Sequence, residues 1–286
     1  MKLGVVFPQN EFPLDPIAIR DFGQTAEGLG FDYVLVYDHV LGANPERPGG
    51  WQGPYTHKDA FHEPFVLFSH WAALTQTLEF VTGILILPQR QTALVAKQAA
   101  SLDFLSGGRL RLGVGVGWNA VEYTGLGQDF NRRGKRMEAQ VEMLRRLWTE
   151  PLVTMDGDGE RLDDVGLLPM PVQRPIPIWM GGYADVVLRR MARLADGWFP
   201  GGGGAAQLAP QVTKMRSYLE EAGRDPATFG IDVWLSARQS EQELTREAAA
   251  WREMGATHMA INTLRCGYET AGEHLARIEA LRKLFD

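Results

Sequence analysis

The segment EFVTGILILPQRQTALVAKQAASLDFLSGGRLRLGVGVGW, residues 79–118, decides the fold predicted for this chain. Its first part, Glu79–Leu87, is a β-branched run that predicts a strand ending at a proline. Ala93–Leu105 predicts a helix that stops at a Ser-Gly-Gly sequence, and Leu110–Val116 predicts a second strand. A strand, a helix and another strand in this order are typical of a parallel sheet with helices packed on it.

The same alternation continues on both sides of this segment. The other predicted strands are Lys2–Phe7, Tyr33–Val36, Ile176–Met180, Gly197–Phe199, Gly230–Leu235 and His258–Ile261. The other predicted helices are Pro16–Leu29, Pro64–Thr75, Arg133–Trp148, Asp185–Leu194, Leu208–Ala222, Glu241–Met254 and Glu273–Leu284. Eight strands and eight helices with no linker-like break predict an α/β protein with one (β/α)8 TIM-barrel domain over residues 1–286. A doubly wound open sheet is the alternative, because it shares the local pattern.

Two longer connections interrupt the regular alternation. Residues Leu41–His62, rich in glycine, proline and aromatic residues, form a long loop after the second strand. Long loops in compact domains are often functional, although these residues could equally fold into a small satellite core. Residues Pro151–Arg174 contain two Asp-Gly pairs and predict a β-hairpin inserted before the fifth strand.

The composition excludes several classes of protein. With 45% hydrophobic and 22% charged residues the chain is typical of a folded globular domain. A net charge of −6 disfavours nucleic acid and anionic membranes as partners, and no run of about 20 apolar residues or signal peptide is evident. Cys266 is the only cysteine, which excludes internal disulfides and fits a cytoplasmic location. No His, Asp, Glu or Cys spacing predicts a metal site.

The sequence Tyr37-Asp38-His39-Val40 leaves the second predicted strand at its carboxyl end. In a barrel this end carries the active site, and a histidine there can exchange a proton near neutral pH. His39 is therefore a candidate acid or base. The alternative is that Asp38 caps a turn and His39 is structural.

Glycines mark three further candidate positions. Gly83 lies inside a buried strand, where it indicates either a bulge or relief of packing. Gly113, Gly115 and Gly117 alternate at the end of the fourth strand. Their spacing is a weak match to a dinucleotide-binding motif, and two interpretations remain open. The glycines either leave a floor for a flat ring or fill a narrow barrel interior.

Gly181-Gly182-Tyr183-Ala184-Asp185 joins the fifth strand to its helix without a Ser, Thr or Asn at the cap. A phosphate from a ligand could satisfy the free N–H groups at this helix start. Alternatively, Asp185 supports the first turn and no anion is involved. The Gly201–Gly204 stretch after the sixth strand is either a lid or a loose connection.

As a set, these segments resemble the luciferase-like monooxygenase family of the bacterial luciferase superfamily, in particular its subgroup of deazaflavin (coenzyme F420)-dependent oxidoreductases. The resemblance extends to about Pro200 and thins out beyond it. It is carried by YDH (37–39), TGILILPQR (82–90), AKQAASLD (96–103), LSGGRL (105–110), GVGVGW (113–118), PIWMGG (177–182) and ARLADGW (192–198).

The resemblance implies roles for individual residues. The family places its flavin or deazaflavin ring over the third strand at a non-prolyl cis peptide, which corresponds to Gly83–Ile84. Gly181 and Gly182 would hold the cofactor phosphate, and His39 would lie beside the ring. The further residues expected to bind cofactor at the same mouth are Asp38, Gly115, Gly117 and Trp198.

Two departures from the family pattern bear on catalysis. Trp118 stands where sugar-phosphate dehydrogenases of the family carry a glutamate, and Glu122 lies one helical turn further on. The catalytic candidates are therefore His39, Trp118 and Glu122. Many relatives also have Asn-Ser at Tyr183-Ala184, which changes the expected cap around the phosphate.

We expect hydride transfer between reduced F420 and a small organic substrate, in a homodimer. An FMNH2-dependent monooxygenase is the first alternative, and a flavin-binding protein without turnover is the second. A cofactor-free aldolase is disfavoured because no predicted strand ends in a lysine. F420 carries tail carboxylates that FMN lacks, for which Arg90 and Arg238 are candidate partners. The strand-end residues expected at one mouth are Phe7, Asp38, Gly83, Gly115, Gly181, Trp198, Trp234 and Asn262.

Overall fold

The computed structural model describes residues 1–285. Its strands are β1 (Lys2–Val6), β2 (Tyr33–Val36), β3 (Glu79–Thr82), β4 (Leu85–Ile86), β5 (Leu110–Gly115), β6 (Val153–Asp156), β7 (Arg161–Val165), β8 (Ile178–Gly181), β9 (Gly197–Phe199), β10 (Gly230–Ser236) and β11 (His258–Asn262). Its helices are α1 (Pro16–Gly28), α2 (Pro64–Ala72), α3 (Thr92–Ser106), α4 (Ala120–Gly125), α5 (Arg133–Thr149), α6 (Asp185–Leu194), α7 (Ala205–Glu221), α8 (Glu241–Glu253) and α9 (Ala271–Arg282).

Nine of these strands form one parallel sheet in the order β3-β2-β1-β11-β10-β9-β8-β5-β4. A further pairing between β3 and β5 joins the two ends of the sheet, so the sheet closes on itself. Because β3 and β4 are two halves of one barrel strand, the result is an eight-stranded α/β barrel surrounded by helices. The predicted TIM barrel is confirmed, and the open-sheet alternative is wrong.

The register brings the carboxyl ends of the strands to one mouth. Val6 pairs with Leu35 and Asn262 on its two neighbouring strands, and Ile86 of β4 pairs with Gly115 of the adjacent β5. The backbone positions predicted to converge there therefore do so. The side chains divide between two layers, however, because successive residues of a strand point to opposite faces. Phe7 belongs to the outer layer between strands and helices.

The predicted boundaries differ from the structure mainly at the third strand. The sequence predicts one strand over Glu79–Leu87, whereas pairing is broken between β3 and β4 by a cis peptide at Gly83–Ile84. The cis peptide implied by the family resemblance is thus present. The hairpin predicted in Pro151–Arg174 is confirmed as the antiparallel pair β6–β7. Helix α4 lies in a region predicted as a turn.

The amino-terminal end of the barrel is closed by a buried ion pair. Arg111 Nη1 donates to Asp232 Oδ2 at 2.8 Å, and Tyr33 Oη donates to Asp232 Oδ1 at 2.6 Å. The Arg111 guanidinium also lies 4.4 Å from the centre of a Trp179 ring. Because packed side chains fill this end, the opposite mouth is the one left open for chemistry. No helix among residues 1–285 is long and apolar enough to cross a bilayer.

Candidate active site at the barrel mouth

The bulge in the third barrel strand points Ile84 into the barrel. The Ile84 side chain packs on the inner cluster that contains Leu35 and Phe199. A Cβ atom added at Gly115 would lie 2.6 Å from Ile84 Cδ1, and one at Gly181 would lie 3.2 Å from Ile84 Cγ2. These two glycines therefore make room for Ile84.

This packing supports one of the two interpretations of the alternating glycines. The space beside Gly115 is filled by Ile84, and a Cβ atom at Gly117 would lie 2.8 Å from Ile86 Cγ2. The glycines of this motif therefore fit a narrow, filled barrel, which is the second of the two interpretations. The glycines shape the mouth by leaving room for the Ile84 and Ile86 side chains. Whether they also contact a cofactor stays a prediction.

His39 follows β2 and is held against Glu122 of α4. The distance from His39 Nδ1 to Glu122 Oε2 is 3.3 Å, and the Glu122 carboxylate is fully buried. Asn119 caps α4 by accepting from the Glu122 N–H, which fixes the helix start at this point. Burial alone would raise the pKa of Glu122. Hydrogen bonds from His39 and from the backbone of Leu41 and Val40 outweigh it and hold this pKa below its ordinary value.

Aromatic rings from the long loop after β2 and from Trp118, which follows β5, cover His39. The centroids of Phe61, Tyr55 and Trp118 lie 4.9, 5.2 and 5.6 Å from the centroid of the His39 ring. The loop and the residues around it enclose a cavity of about 290 Å³, which His39 and Trp118 line. The cavity is of a size for a small organic molecule. Trp118, predicted as catalytic, lies at this cavity with a side chain 42% exposed.

Asp38 lies at the mouth, but its side chain is engaged by protein groups instead of facing a cofactor. Its carboxylate is buried and accepts from the Ile86 N–H at 2.9 Å and from Arg90 Nη2 at 2.8 Å. Arg90 also donates to Glu63 at 2.8 Å. Asp38 therefore fixes the backbone at Ile86, just after the bulge. Since two carboxylates already pair with the Arg90 charge, the prediction that Arg90 receives cofactor carboxylates is not supported.

The start of α6 offers uncapped backbone donors. Its N-cap residue is Ala184, which makes no side-chain hydrogen bond. The Asp185 carboxylate instead accepts from Tyr218 Oη at 2.6 Å and from Lys214 Nζ at 3.0 Å, and these bonds lower the pKa of Asp185 to about 2. Asp185 is thus engaged with side chains of α7, which favours the interpretation in which a ligand anion supports the first turn of α6. The free N–H groups beside Gly182 fit a phosphate.

Trp198 lies in the outer layer of the barrel. Its ring is fully buried among the residues between strands and helices, and its Nε1 donates to Gly182 O at 2.6 Å. The prediction that Trp198 binds cofactor directly requires correction, because its neighbour Phe199 is the residue that faces the barrel interior. The role of Trp198 is to fix the backbone of Gly182.

A second cleft of about 560 Å³ opens at the mouth beside the Gly201–Gly204 loop. Trp234 lines this cleft, and its Nε1 is buried without a hydrogen-bond partner in the part of the chain that the structure describes. Arg238 also lines the cleft and forms no ion pair within residues 1–285. Asn262 donates to Tyr37 Oη at 3.2 Å on the same side. This cleft has polar groups for an extended ligand.

Two residues of the site are not predicted from the sequence. Gln89 donates to Glu122 Oε2 at 3.2 Å, and Phe61 packs on His39 together with Tyr55, which the sequence marks only as a member of the long loop. Aromatic residues of the long loop were noted as a group, but loop composition does not reveal which rings meet a given side chain. Gln89 follows a proline directly after the bulge, and no periodic pattern marks it. Within residues 1–285, no group of three or more His, Cys, Asp or Glu side chains is placed to hold a metal ion.

Comparison with known proteins agrees with this geometry. The family described as luciferase-like monooxygenase matches residues 1–283 of the chain. The chain belongs to this family. The predicted resemblance is thereby confirmed, and the match extends well beyond the region around Pro200 where the recognisable motifs end.

Individual members of the luciferase-like family give the degree of similarity. An uncharacterized protein of Mycobacterium tuberculosis is 37% identical over 216 residues, which are 73% of this chain and 74% of that protein. The FMNH2-dependent dimethylsulfone monooxygenase of Pseudomonas fluorescens is 30% identical over 228 residues, which are 78% of this chain and 58% of that enzyme. The luciferase-like chain is thus an oxidoreductase or monooxygenase by family.

Solved structures show the same fold. An F420-dependent secondary alcohol dehydrogenase, in complex with an F420–acetone adduct, superposes with a TM-score of 0.81 at 17% identity, covering 100% of this chain and 99% of that one. A monooxygenase from Streptomyces bottropensis superposes with a TM-score of 0.77 at 20% identity, covering 100% and 97%. At 17–20% identity these two structures share the fold of this chain over its whole length.

Proposed function

We propose that this luciferase-like protein is a cytoplasmic, homodimeric oxidoreductase that transfers a hydride between reduced coenzyme F420 and a small organic substrate. The observation that carries the proposal is His39, an acid–base side chain held by a buried carboxylate in a cavity at the barrel mouth. Reduction of a carbonyl or a C=C or C=N bond by hydride needs one proton at the partner atom. His39 is placed to exchange that proton.

The residues of the mouth fit a cofactor of this kind. The uncapped backbone donors at the start of α6, beside Gly182, would hold its phosphate. Ile84 at the bulge would support its ring, and the Arg238 charge would face its polar tail in the second cleft. When bound, such a cofactor supplies the hydride. The protein supplies the orientation and the proton.

The aromatic residues around His39 have a separate part in the proposed reaction. Phe61, Tyr55 and Trp118 surround the His39 ring and limit the access of water to it. A proton carried by His39 is then passed to the substrate in the cavity of about 290 Å³ instead of to bulk solvent. The size of this cavity supports a small-molecule substrate.

A second candidate function is an FMNH2-dependent monooxygenase. The relative from Pseudomonas fluorescens, which is 30% identical over 78% of this chain, is named as such an enzyme. The backbone donors at α6 would suit the FMN phosphate equally well. In that case His39 and the aromatic cover would protect the reaction of the reduced flavin with O2 from water.

Fluorescence titration of the purified protein with F420 and with FMN, at low and moderate salt, separates the two candidates. We expect F420 to bind more tightly, with an affinity that falls as salt screens the contact between Arg238 and the tail carboxylates. Tight FMN binding with no measurable F420 affinity would reject the F420 proposal and favour the monooxygenase. Light scattering of the same sample measures whether a dimer forms.

A glycine substitution tests the proposed phosphate position. Gly182 has φ +124°, and an added Cβ atom would lie 3.1 Å from Val187, so Gly182→Ala should disturb the α6 start and weaken binding of either cofactor. Gly223→Ala is the matched control, because Gly223 has φ +71° and no neighbouring atom within 4 Å of an added Cβ. Equal affinities for both variants and the unchanged protein would place the phosphate elsewhere.

A further inference from the structure

Glu122 is a buried carboxylate with four hydrogen-bond partners. Its Oε1 accepts from the backbone N–H groups of Val40 and Leu41, the latter at 3.1 Å. Its Oε2 accepts from Gln89 Nε2 at 3.2 Å and lies 3.3 Å from His39 Nδ1. The carboxylate is 0% exposed, so it cannot touch a substrate in the cavity. It does, however, contact the one side chain to which the proposed function assigns the proton.

We propose that Glu122 is a positioning residue that fixes His39 in the tautomer with its proton on Nδ1, so that Nε2 is the nitrogen that exchanges a proton with substrate. This inference rests on the proposed function for the role of His39. It replaces the expectation that Glu122 is itself a catalytic acid. Glu122 acts through His39: it orients the ring and does not itself take up the proton.

The tautomer follows from the donor and acceptor inventory. An ionised carboxylate can only accept hydrogen bonds, and the low pKa of Glu122 keeps it ionised. His39 Nδ1 must therefore carry a proton to bond with Oε2. His39 Nε2 has no hydrogen-bond partner within residues 1–285 and is not among the buried unpaired atoms, so it remains accessible.

The proton balance of the proposed step is simple. In the neutral ring Nδ1 holds its proton and Nε2 has a free lone pair, so Nε2 accepts one proton when the substrate is oxidised. In the reverse direction the imidazolium returns the same proton from Nε2. The Nδ1 proton stays between His39 and Glu122 throughout, and the negative carboxylate stabilises the imidazolium that forms.

The same inventory predicts what Glu122→Gln does. The Val40 and Leu41 N–H groups are fixed donors, so the amide introduced at position 122 must turn its oxygen toward them. Its NH2 group then faces His39 Nδ1 and the Gln89 amide. Gln89 can rotate its amide to accept, but His39 can accept only by moving its proton to Nε2. The variant is therefore expected to hold His39 in the opposite tautomer.

Nitrogen NMR of ¹⁵N-histidine-labelled protein at pH 8, without cofactor, tests this directly. In the unchanged protein we expect the His39 signal, assigned by its loss in His39→Asn, to report a protonated Nδ1 and an unprotonated Nε2. In Glu122→Gln we expect the reverse. The signals of the other histidines, among them the buried His274, should remain in place and show that the variant is folded.

Glu27→Gln is the matched control for the loss of a carboxylate. Glu27 accepts from the backbone N–H groups of Gln76, Thr77 and Leu78 at the amino-terminal end of the barrel, and its pKa is also lowered. This variant should leave the His39 tautomer unchanged. Once a substrate is known, Glu122→Gln should lower turnover by about 10²-fold or more, because the ring presents the wrong nitrogen.

The outcomes separate this inference from the proposed function. A protonated Nε2 in the unchanged protein overturns the inference even if Glu122→Gln does not fold. An unchanged tautomer in a folded Glu122→Gln protein overturns it as well. Because both measurements are made without cofactor, they stand whether the enzyme uses F420 or FMN. The proposed function fails separately, if neither cofactor binds or if loss of His39 leaves turnover unchanged.

Discussion

At the residue scale the site depends on one histidine, His39, whose ring is fixed on one side by Glu122 and on the other by aromatic rings. The first prediction is that His39→Ala folds normally and lowers turnover by about 10²–10⁴-fold, because the proton loses its carrier. Steady-state kinetics and circular dichroism measure the two effects. The control is His70→Ala, an exposed histidine on α2. If turnover is kept while KM rises, His39 is a binding residue instead.

A second residue-scale prediction concerns the pair Gly115 and Ile84. Gly115→Ala would place a Cβ atom 2.6 Å from Ile84 Cδ1, and this overpacking should lower the free energy of unfolding by about 1–3 kcal/mol. Urea denaturation measures the change. The control is Gly28→Ala, where an added Cβ atom meets no atom within 4 Å and stability should not fall.

The double variant Gly115→Ala with Ile84→Ala tests the cause. Removing the outer atoms of Ile84 leaves its Cβ 3.6 Å from the added carbon, which is an ordinary contact. The double variant should therefore lose less stability than the sum of the two single losses. Strict additivity would mean that the glycine is required for some other reason.

At the element scale the inserted hairpin β6–β7 supports the mouth from outside. Glu160 lies between its strands and accepts from the Thr92 N–H at 2.9 Å. Glu160 thereby caps the start of α3, although the two residues are 68 positions apart in the chain. Arg136 of α5 joins the same group by donating to Pro88 O at 3.1 Å and to Glu160 at 3.2 Å. The hairpin is thus connected to the segment that follows the bulge.

We predict that Glu160→Ala lowers the free energy of unfolding by about 0.5–2 kcal/mol, the usual effect of losing a helix cap. The reason is that the N-cap residue of α3, Gln91, makes no side-chain cap of its own. Asp163→Ala in the same hairpin is the matched control, since Asp163 is exposed and its nearest charged partner, Arg161, is 3.6 Å away. Equal urea midpoints for the two variants would show that the hairpin does not stabilise α3.

At the scale of the whole molecule, a buried histidine at the amino-terminal end of the barrel makes stability depend on pH. The mouth carries ionised carboxylates such as Glu122, whereas the amino-terminal end carries His258 between the Trp179 and Tyr33 rings at 4.9 and 5.8 Å. Burial, together with the charge of Arg111, lowers the pKa of His258 to about 2. This histidine is therefore neutral in the folded protein at moderately acidic pH.

The sign of the resulting pH dependence is fixed. Below the unfolded pKa of about 6.5, the histidine is protonated in the unfolded chain but stays neutral in the folded protein. The free energy of unfolding is therefore at its full value above this pH and decreases as pH falls below it. Between pH 7 and pH 5 His258 should contribute a loss on the order of 1–2 kcal/mol, at about 1.36 kcal/mol per pH unit. The pKa values of His62 and His274 are also lowered by burial and add to the fall.

Urea denaturation at both pH values tests this prediction. His258→Gln should show a smaller difference in the free energy of unfolding between pH 7 and pH 5 than the unchanged protein. His70→Gln, at an exposed position, should show the same difference as the unchanged protein. A full pH effect in His258→Gln would mean that other groups cause it.

Much of the fold and part of the site could be predicted. The count of strand and helix segments was sufficient for the barrel, and motif resemblance located the Gly83–Ile84 peptide and His39 at the mouth. The pattern did not indicate which of two adjacent strand residues faces inward. For that reason the sequence does not distinguish Trp198, which faces the helices, from Phe199, which faces the barrel interior, since a shift of one residue exchanges the two faces of a strand.

The sequence by itself determined the elements, their order and the end of the barrel that carries the chemistry, because these depend on local periodicity and on the rule that parallel strands end together. Only the tertiary structure decided the partners. The contact of His39 with Glu122 spans 83 residues, and that of Asp38 with Arg90 spans 52. Such pairs form where separate loops meet, and chain closure around the barrel, not local pattern, brings those loops together.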